Sequence, residues 1–263
     1  LGDARGTSSH AKAGTIHLDL ANPVAFDYLS IKKKEVLFLT ASISEPDVCA
    51  SEHDKAWAVN VQGTSVFISR VLDQGARVVF FSSDTVYGEQ VTPCNEAHAC
   101  RPVGAYATMK HTVEKMFLGH PDFKAIRLSY VFSREDQFSK FLIDCAERDV
   151  TAEVFHPFYR AVIHRDDVVA GALALAREWG AFPQDVINFG GKQVMSRLEF
   201  AQILKDSMLP NLDYTVTEPP PGFFANRPRI VAMHSPILPQ LLGRPQRSLQ
   251  EAAIFEMKGV LEL

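Results

Sequence analysis

Three short runs of almost uninterrupted apolar residues constrain this chain most: Val36-Leu37-Phe38-Leu39, Val78-Val79-Phe80-Phe81 and Ala125-Ile126-Arg127-Leu128. A strand with one wet face alternates apolar and polar residues, whereas a strand covered by helices on both faces reads as a continuous apolar run. Between the first two runs, Asp54 to Gln74 carries Trp57, Val61, Phe67, Ile68, Val71 and Leu72 at helical spacing, with Gly75 placed to end the helix. Between the second and third, a helix is predicted from about Gly104 to Leu118, ahead of Gly119 and Pro121. Strand, helix, strand, helix, strand implies right-handed crossovers and a parallel sheet.

Beyond Phe132 the elements shorten. Asp136 to Arg148 reads as a helix and His156 to Tyr159 as an irregular connection. Asp167 stands where an N-cap would, ahead of the apolar stretch 168–176, and Val186-Ile187-Asn188-Phe189 reads as a strand ending at Gly190-Gly191. A further helix is predicted over Ser196 to Ser207, capped by Ser196 with Glu199 three residues on, whereas Glu218-Pro219-Pro220-Pro221-Gly222 must be a loop. The expected organisation is a Rossmann-like cofactor domain over 1–133, a substrate-lobe insertion over 134–158 and a return to the first domain over 159–180. Residues 181–263 would then be mainly substrate lobe. The fold class expected is α/β: a doubly wound parallel sheet with a smaller C-terminal α/β lobe.

Composition narrows the partners. A formal net charge of −4 over 263 residues gives no general attraction to phosphate backbones or anionic bilayers, so neither nucleic acid nor membrane is expected. No apolar stretch approaches the length of a membrane-spanning helix. Cys49, Cys94, Cys100 and Cys145 are scattered and suggest no disulfide framework, which favours a reduced, cytoplasmic location. Cys94, His98 and Cys100 lie close in sequence but lack an obvious fourth ligand, so no metal is expected there. Lys32-Lys33-Lys34 reads as a solvated helix end, Asp167 as a helix cap, and His156 and Arg160 as part of a lobe connection.

The chemistry concentrates in two places. Tyr106 and Lys110, four residues apart within a predicted helix, share one face, where an ammonium can favour the phenolate and make a usable acid or base. The strand ending at Phe81 runs straight into Ser82-Ser83-Asp84-Thr85-Val86-Tyr87-Gly88, a polar cluster at the end of a parallel strand, where α/β sheets hold their ligands. A serine hydroxyl there can bond a carbonyl oxygen and stabilise developing negative charge on it.

These pieces resemble the extended short-chain dehydrogenases/reductases that act on nucleotide sugars, and they occur in family order over nearly the whole chain. Asp19-Leu20 is similar to the acidic-leucine pair facing the adenine. Thr40-Ala41-Ser42 resembles the small-residue turn beside the cofactor's phosphates and ribose, and Asn60-Val61-Gln62-Gly63-Thr64 resembles the Asn-Val-x-Gly-Thr signature. Ser83 falls at the active position of the catalytic loop, and Glu96, Pro102, Tyr106 and Lys110 keep the spacing of the catalytic helix. Ser44 to Cys49, and Asn226-Arg227-Pro228-Arg229 followed by Leu238 and Leu242-Gly243, look most like dTDP-4-dehydrorhamnose reductases. The resemblance implies NAD or NADP as cofactor and a nucleotide sugar as substrate. Ser83, Tyr106 and Lys110 would be catalytic, with Lys110 lowering the Tyr106 pKa. Asp19, Leu20, Thr40, Ala41, Ser42, Tyr106 and Lys110 would contact cofactor. Ser83, Asp84 and Arg227 would contact substrate, Arg227 reaching toward the diphosphate. The nucleotide-sugar 4,6-dehydratases carry Asp-Glu after the catalytic Ser/Thr; here Thr85 follows Asp84, which disfavours dehydration. Net reduction of a 4-keto-6-deoxy sugar nucleotide is expected. A 4-epimerase and a non-catalytic regulatory subunit, like that of methionine adenosyltransferase, are the alternatives.

The family's GxxGxxG phosphate loop is absent. The first residues, 1–7, resemble the end of a second strand and the turn after it, with Arg5 a candidate partner for an NADP 2'-phosphate. A strand-loop-helix-strand unit on the order of 30 residues is expected upstream of Leu1 in the native protein. Relatives pair two helices per subunit in a four-helix bundle. A homodimer is therefore expected, with Val66, Ile68, Val113 and Phe117 as candidate apolar contacts.

Overall fold

The computed structural model describes residues 4–10 and 13–261, with side chains through Glu256. β1 (Gly6–Ser8) and β2 (Thr15–His17) form a parallel pair of their own. Gly6 and Thr7, expected at the end of a strand and its turn, are therefore both strand; Leu1 to Asp3 lie outside the described residues. The main sheet starts with β3 (Val36–Leu39), and α1 (Pro46–Ser51), α2 (His53–Trp57), a π-helical stretch (58–63) and α3 (Thr64–Asp73) lead to β4 (Arg77–Ser83). β5 (Gln90–Cys94) and α4 (Ala105–Phe117) then precede β6 (Phe123–Leu128). β7 (Val131–Phe132), α5 (Gln137–Glu147), β8 (Ala152–Phe155), β9 (Tyr159–Ala161), β10 (Ile163–His164) and α6 (Arg165–Arg177) separate β6 from β11 (Val186–Phe189). The order β11-β6-β4-β3 is parallel throughout, as the apolar runs predicted.

Alternation along β4 shows why these strands are apolar on both sides. Val78 and Phe80 pack with Phe67, Ile68 and Val71 of α3 and Val113 of α4, whereas Val79 packs with Ile126, Ile187, Val168 and Leu175 on the α6 side. Neither face of the strand meets water, so neither tolerates a polar register.

After β11 come β12 (Val194–Ser196), α7 (Arg197–Ser207), β13 (Tyr214–Thr217), β14 (Val231–Met233), α8 (Leu238–Leu242) and α9 (Leu249–Leu261). A second core joins Phe132, Phe138, Leu142, Val154, Phe200, Leu204 and Leu249. The capping box expected at Ser196 and Glu199 is present.

Three sequence expectations change. The helix predicted over Asp54 to Gln74 is broken by the π-helical stretch, where Gly63 presses against neighbouring backbone: a Cβ there would lie 1.7 Å from the Leu20 carbonyl oxygen. Asp167 is not the N-cap of α6. His164 is, its Nδ1 accepting from the Asp166 amide at 3.3 Å, while fully buried Asp167 accepts from the Arg244 guanidinium and the Arg247 amide. Lys32 to Lys34 are exposed as expected but form a turn, Lys34 having positive φ, rather than a helix end.

Candidate active site

The turn after β3 owes its shape to Asn60. Its amide oxygen accepts from the Ile43 N–H and its amide nitrogen donates to the Ile43 carbonyl, each at 2.8 Å, while the residue is almost fully buried. A side chain that satisfies both backbone groups of one loop residue fixes Thr40-Ala41-Ser42 as a secondary structure would. Thr64 closes the π-helical stretch by donating to the Val59 carbonyl at 2.9 Å. Asn60, Gly63 and Thr64 thus shape the backbone that bounds the site.

Thr40 and Ser42 line a cavity of about 460 Å³ together with Tyr106 and Lys110 of α4, Phe38, Phe81 and Ser82 of the sheet, and Arg165, Val168, Val169 and Leu173 of α6. Lys110, 3% exposed, donates to the Phe81 carbonyl at 2.8 Å and lies 4.8 Å from the Phe80 ring centroid and 5.7 Å from that of Tyr106. Burial pulls the Lys110 pKa down from 10.5 to about 8. Burial likewise raises the Tyr106 pKa, countered by a hydrogen bond with Ser42 and reinforced by Asp84, Cys49 and Glu45. The expectation that Lys110 makes Tyr106 acidic is therefore reversed here. The ammonium points at a carbonyl of β4, and desolvation of the half-buried phenol favours its protonated form.

Ser83 ends β4 and caps the short turn 84–87: its Oγ accepts from the Thr85 amide at 3.2 Å and shares a hydrogen bond of 2.9 Å with Thr85 Oγ1. It does not line the Tyr106 cavity, where its neighbour Ser82 stands. Asp84 is buried beneath it, accepting from Ser129 at 2.8 Å, with Arg160 Nε at 3.7 Å. Burial raises the Asp84 pKa against the pull of Arg160.

The other candidates have structural partners. Arg5 donates to the Glu35 carboxylate at 2.9 Å and the Ser30 carbonyl at 3.1 Å. Asp19 accepts from the Ala21 amide at 2.8 Å, and Leu20 is buried in the core beside α3. Ala41 is exposed. Arg227 pairs with Asp47 in the first turn of α1 and lies 4.4 Å from the Phe223 ring centroid; its Nε is buried without a hydrogen-bond partner. The segments Ser44–Cys49 and Asn226–Arg229, far apart in sequence, thus touch. Gly104, at the head of α4, completes the junction: a Cβ there would lie 2.3 Å from the Asn226 carbonyl oxygen.

Two arginines that no sequence motif assigns to the site lie beside it. Arg160, read as part of a lobe connection, is 9% exposed, donates to the Pro228 and Tyr159 carbonyls and lies 4.5 Å from the Phe158 ring centroid. Arg197 lies 4.6 Å from the ring centroids of both Phe138 and Phe158. Both line a pocket with Tyr130, and an adjoining cavity lined by Tyr130 and Arg197 shares Val131 with the Tyr106 cavity. Phe155, Phe158 and Tyr159 mark the surroundings of Arg160 in the sequence, whereas Arg197 meets Phe158 only through the fold. His98 turns to Asn95, its Nδ1 3.0 Å from the Asn95 side-chain oxygen, rather than toward Cys94 and Cys100. Ile68 and Val113 are fully buried in the subunit's own core, so of the expected interface residues only Val66 is markedly exposed, joined by Met116. Among the described residues no helix is long and apolar enough to cross a membrane.

Solved structures of similar fold include nucleotide-sugar reductases, epimerases and an NDP-hexosamine 5,6-dehydratase. A dTDP-4-dehydrorhamnose reductase from Clostridium acetobutylicum is 17% identical with a TM-score of 0.80, covering 98% of this chain and 99% of that one. A hypothetical dTDP-4-dehydrorhamnose reductase from Sulfolobus tokodaii is 22% identical (TM-score 0.78), covering 93% and 88%. A UDP-glucuronic acid 4-epimerase variant from Bacillus cereus, in complex with a fluorinated UDP-glucuronic acid and NAD, is 18% identical (TM-score 0.78), covering 94% and 81%. Comparison with curated proteins gives no match. The family model described as the RmlD substrate binding domain matches residues 2–262, and the chain belongs to that family.

Proposed function

We propose that this chain is an NAD(P)-dependent oxidoreductase that reduces the C4 keto group of a 6-deoxy sugar nucleotide. The observation that carries the reading is the convergence of Tyr106, Lys110, Thr40 and Ser42 on one cavity at the C-terminal ends of parallel strands. The residues present fit the nicotinamide-ribose end of the cofactor: apolar walls from Phe38, Phe81 and Leu173 flank an ammonium that uses one of its three N–H donors on Phe81. When bound, that cofactor supplies the hydride.

The chain's own residues do the rest. Tyr106, held protonated by desolvation of its phenol, gives its phenolic proton to the substrate oxygen at C4. Lys110, still largely an ammonium at pH 7, holds sugar hydroxyls with its free N–H groups and offsets the negative charge left on the phenolate. Ser83, which stands outside this cavity, turns from Thr85 toward it to donate to the same substrate oxygen. Arg227 and Asp84 shape the sugar-nucleotide side, Asp84 by fixing Arg160. The structural neighbours that are reductases support reduction. The 4-epimerase neighbour keeps an alternative outcome with the same three residues.

The assay is NADPH or NADH oxidation, followed by absorbance, with a dTDP-4-keto-6-deoxy sugar. Tyr106→Phe is expected to lower turnover by roughly 10²–10⁴ while nucleotide-sugar affinity persists. Wild-type turnover in that variant would remove Tyr106 from the mechanism, and an epimerised product without net cofactor oxidation would favour the alternative. A homodimer through α3 and α4 is part of the same reading, with Val66 and Met116 as the exposed apolar contacts. Sedimentation at micromolar concentration should give twice the monomer mass, and Val66→Glu should halve it; a wild-type monomer refutes this part.

A further inference from the structure

Cys100, His111 and Glu114 form a cluster that the proposed reaction does not use. Cys100 comes from the segment leading into α4, while His111 and Glu114 sit three residues apart on that helix and so share a face. One ligand atom from each, a thiol sulfur, an imidazole nitrogen and a carboxylate oxygen, lies within 4.8 Å of the other two. His111 Nδ1 is buried with no hydrogen-bond partner, its nearest carboxylate oxygen, Glu114 Oε2, being 3.6 Å away. A buried ring nitrogen without a partner is uncommon enough to need a reason.

We propose that Cys100, His111 and Glu114 bind a divalent transition metal in tetrahedral geometry, zinc being the ion their donor set suits. Thiolate and imidazole ligands select zinc-like ions over magnesium or calcium. Bond lengths of about 2.0–2.3 Å place tetrahedral ligand atoms roughly 3.3–3.8 Å apart, so the cluster need contract by only about 1 Å. Cys100 lies in an irregular segment between β5 and α4, which can supply that movement.

The competitor is Arg127, which donates to Glu114 Oε2 from Nη2 at 2.7 Å and from Nε at 3.3 Å, and from Nε to Oε1 at 3.1 Å. Each carboxylate oxygen carries two lone-pair directions, so Oε1, which accepts only the Nε hydrogen that it shares with Oε2, keeps one for a metal. Arg127 then acts as the outer partner that orients a ligating carboxylate. Three protein ligands leave a fourth position for water. The site would tether the segment preceding α4 to the turn of that helix following Lys110.

The test uses the whole chain, stripped with chelator and desalted, then titrated with Co²⁺ at neutral pH. One equivalent should bind with the intense visible bands of tetrahedral cobalt and a near-ultraviolet thiolate charge-transfer band, and Zn²⁺ should displace it. Cys100→Ser should lose the charge-transfer band, and His111→Ala should weaken cobalt binding at least tenfold. A wild-type protein without a tetrahedral cobalt spectrum at one equivalent overturns the proposal, as does Cys100→Ser with the band intact. Should His111→Ala fail to fold, the wild-type titration and Cys100→Ser decide alone.

Discussion

Replacing Lys110 with methionine should make the protein more stable at neutral pH while abolishing its proposed activity. The ammonium is 3% exposed, and burial lowers its pKa from 10.5 to about 8. At about 1.4 kcal/mol per tenfold change, holding that charge in the folded state costs about 3 kcal/mol. Against this stands its hydrogen bond to Phe81, which the neutral amine also makes, worth about 1 kcal/mol. Methionine fills the space without the charge, so a net gain of about 2 kcal/mol is expected at pH 7. That gain disappears as the pH rises. A lysine with a depressed folded pKa binds fewer protons folded than unfolded between about pH 8 and pH 10.4, so the cost is complete below pH 8 and is relieved as pH rises through that window. By pH 10 the cost has fallen to about 1 kcal/mol, equal to the hydrogen bond, and the two proteins should be equally stable there. Urea denaturation of both proteins at pH 7 and pH 10 measures this, the difference cancelling other groups that titrate there. A variant less stable than wild type at pH 7, or a difference that does not move with pH, would refute the buried-ammonium argument.

Two further predictions separate structural from chemical roles. Arg127→Met leaves the fully buried Glu114 carboxylate without its guanidinium and should cost about 3–5 kcal/mol in urea denaturation. Burial raises the Glu114 pKa, but His111 and Arg127 outweigh it and hold the group below its usual range. The wild-type advantage should therefore be present above about pH 4.3 and shrink as pH falls through the folded pKa; a loss under about 1 kcal/mol would contradict the pairing. Ser83→Ala removes the cap on the Thr85 amide, worth about 1 kcal/mol by thermal melting, and should lower turnover by roughly 10²–10³. A stability loss with unchanged turnover would leave Ser83 a cap alone.

Three strands of the sheet and their parallel direction are legible in the sequence. Strands covered by helices read as near-continuous apolar runs, and Val36–Leu39, the Val78 run and the Ala125 run do so, although Arg127 in the last is buried through its pairing with Glu114. The sequence also placed Tyr106 and Lys110 on one helix face, because a spacing of four is a property of the helix alone. What it could not determine was anything set by contacts between distant segments. The Arg227–Asp47 pair, the Arg160–Asp84 approach and the Glu114–Arg127 pair join residues 180, 76 and 13 positions apart. No local pattern encodes such partners. The acidity of Tyr106 followed the same rule. Spacing suggested that a nearby cation would lower it, but burial, which depends on how the whole chain packs around α4, raises it instead. His164 rather than Asp167 caps α6 because the fold takes Asp167 inside to meet Arg244, and only the tertiary structure could decide that.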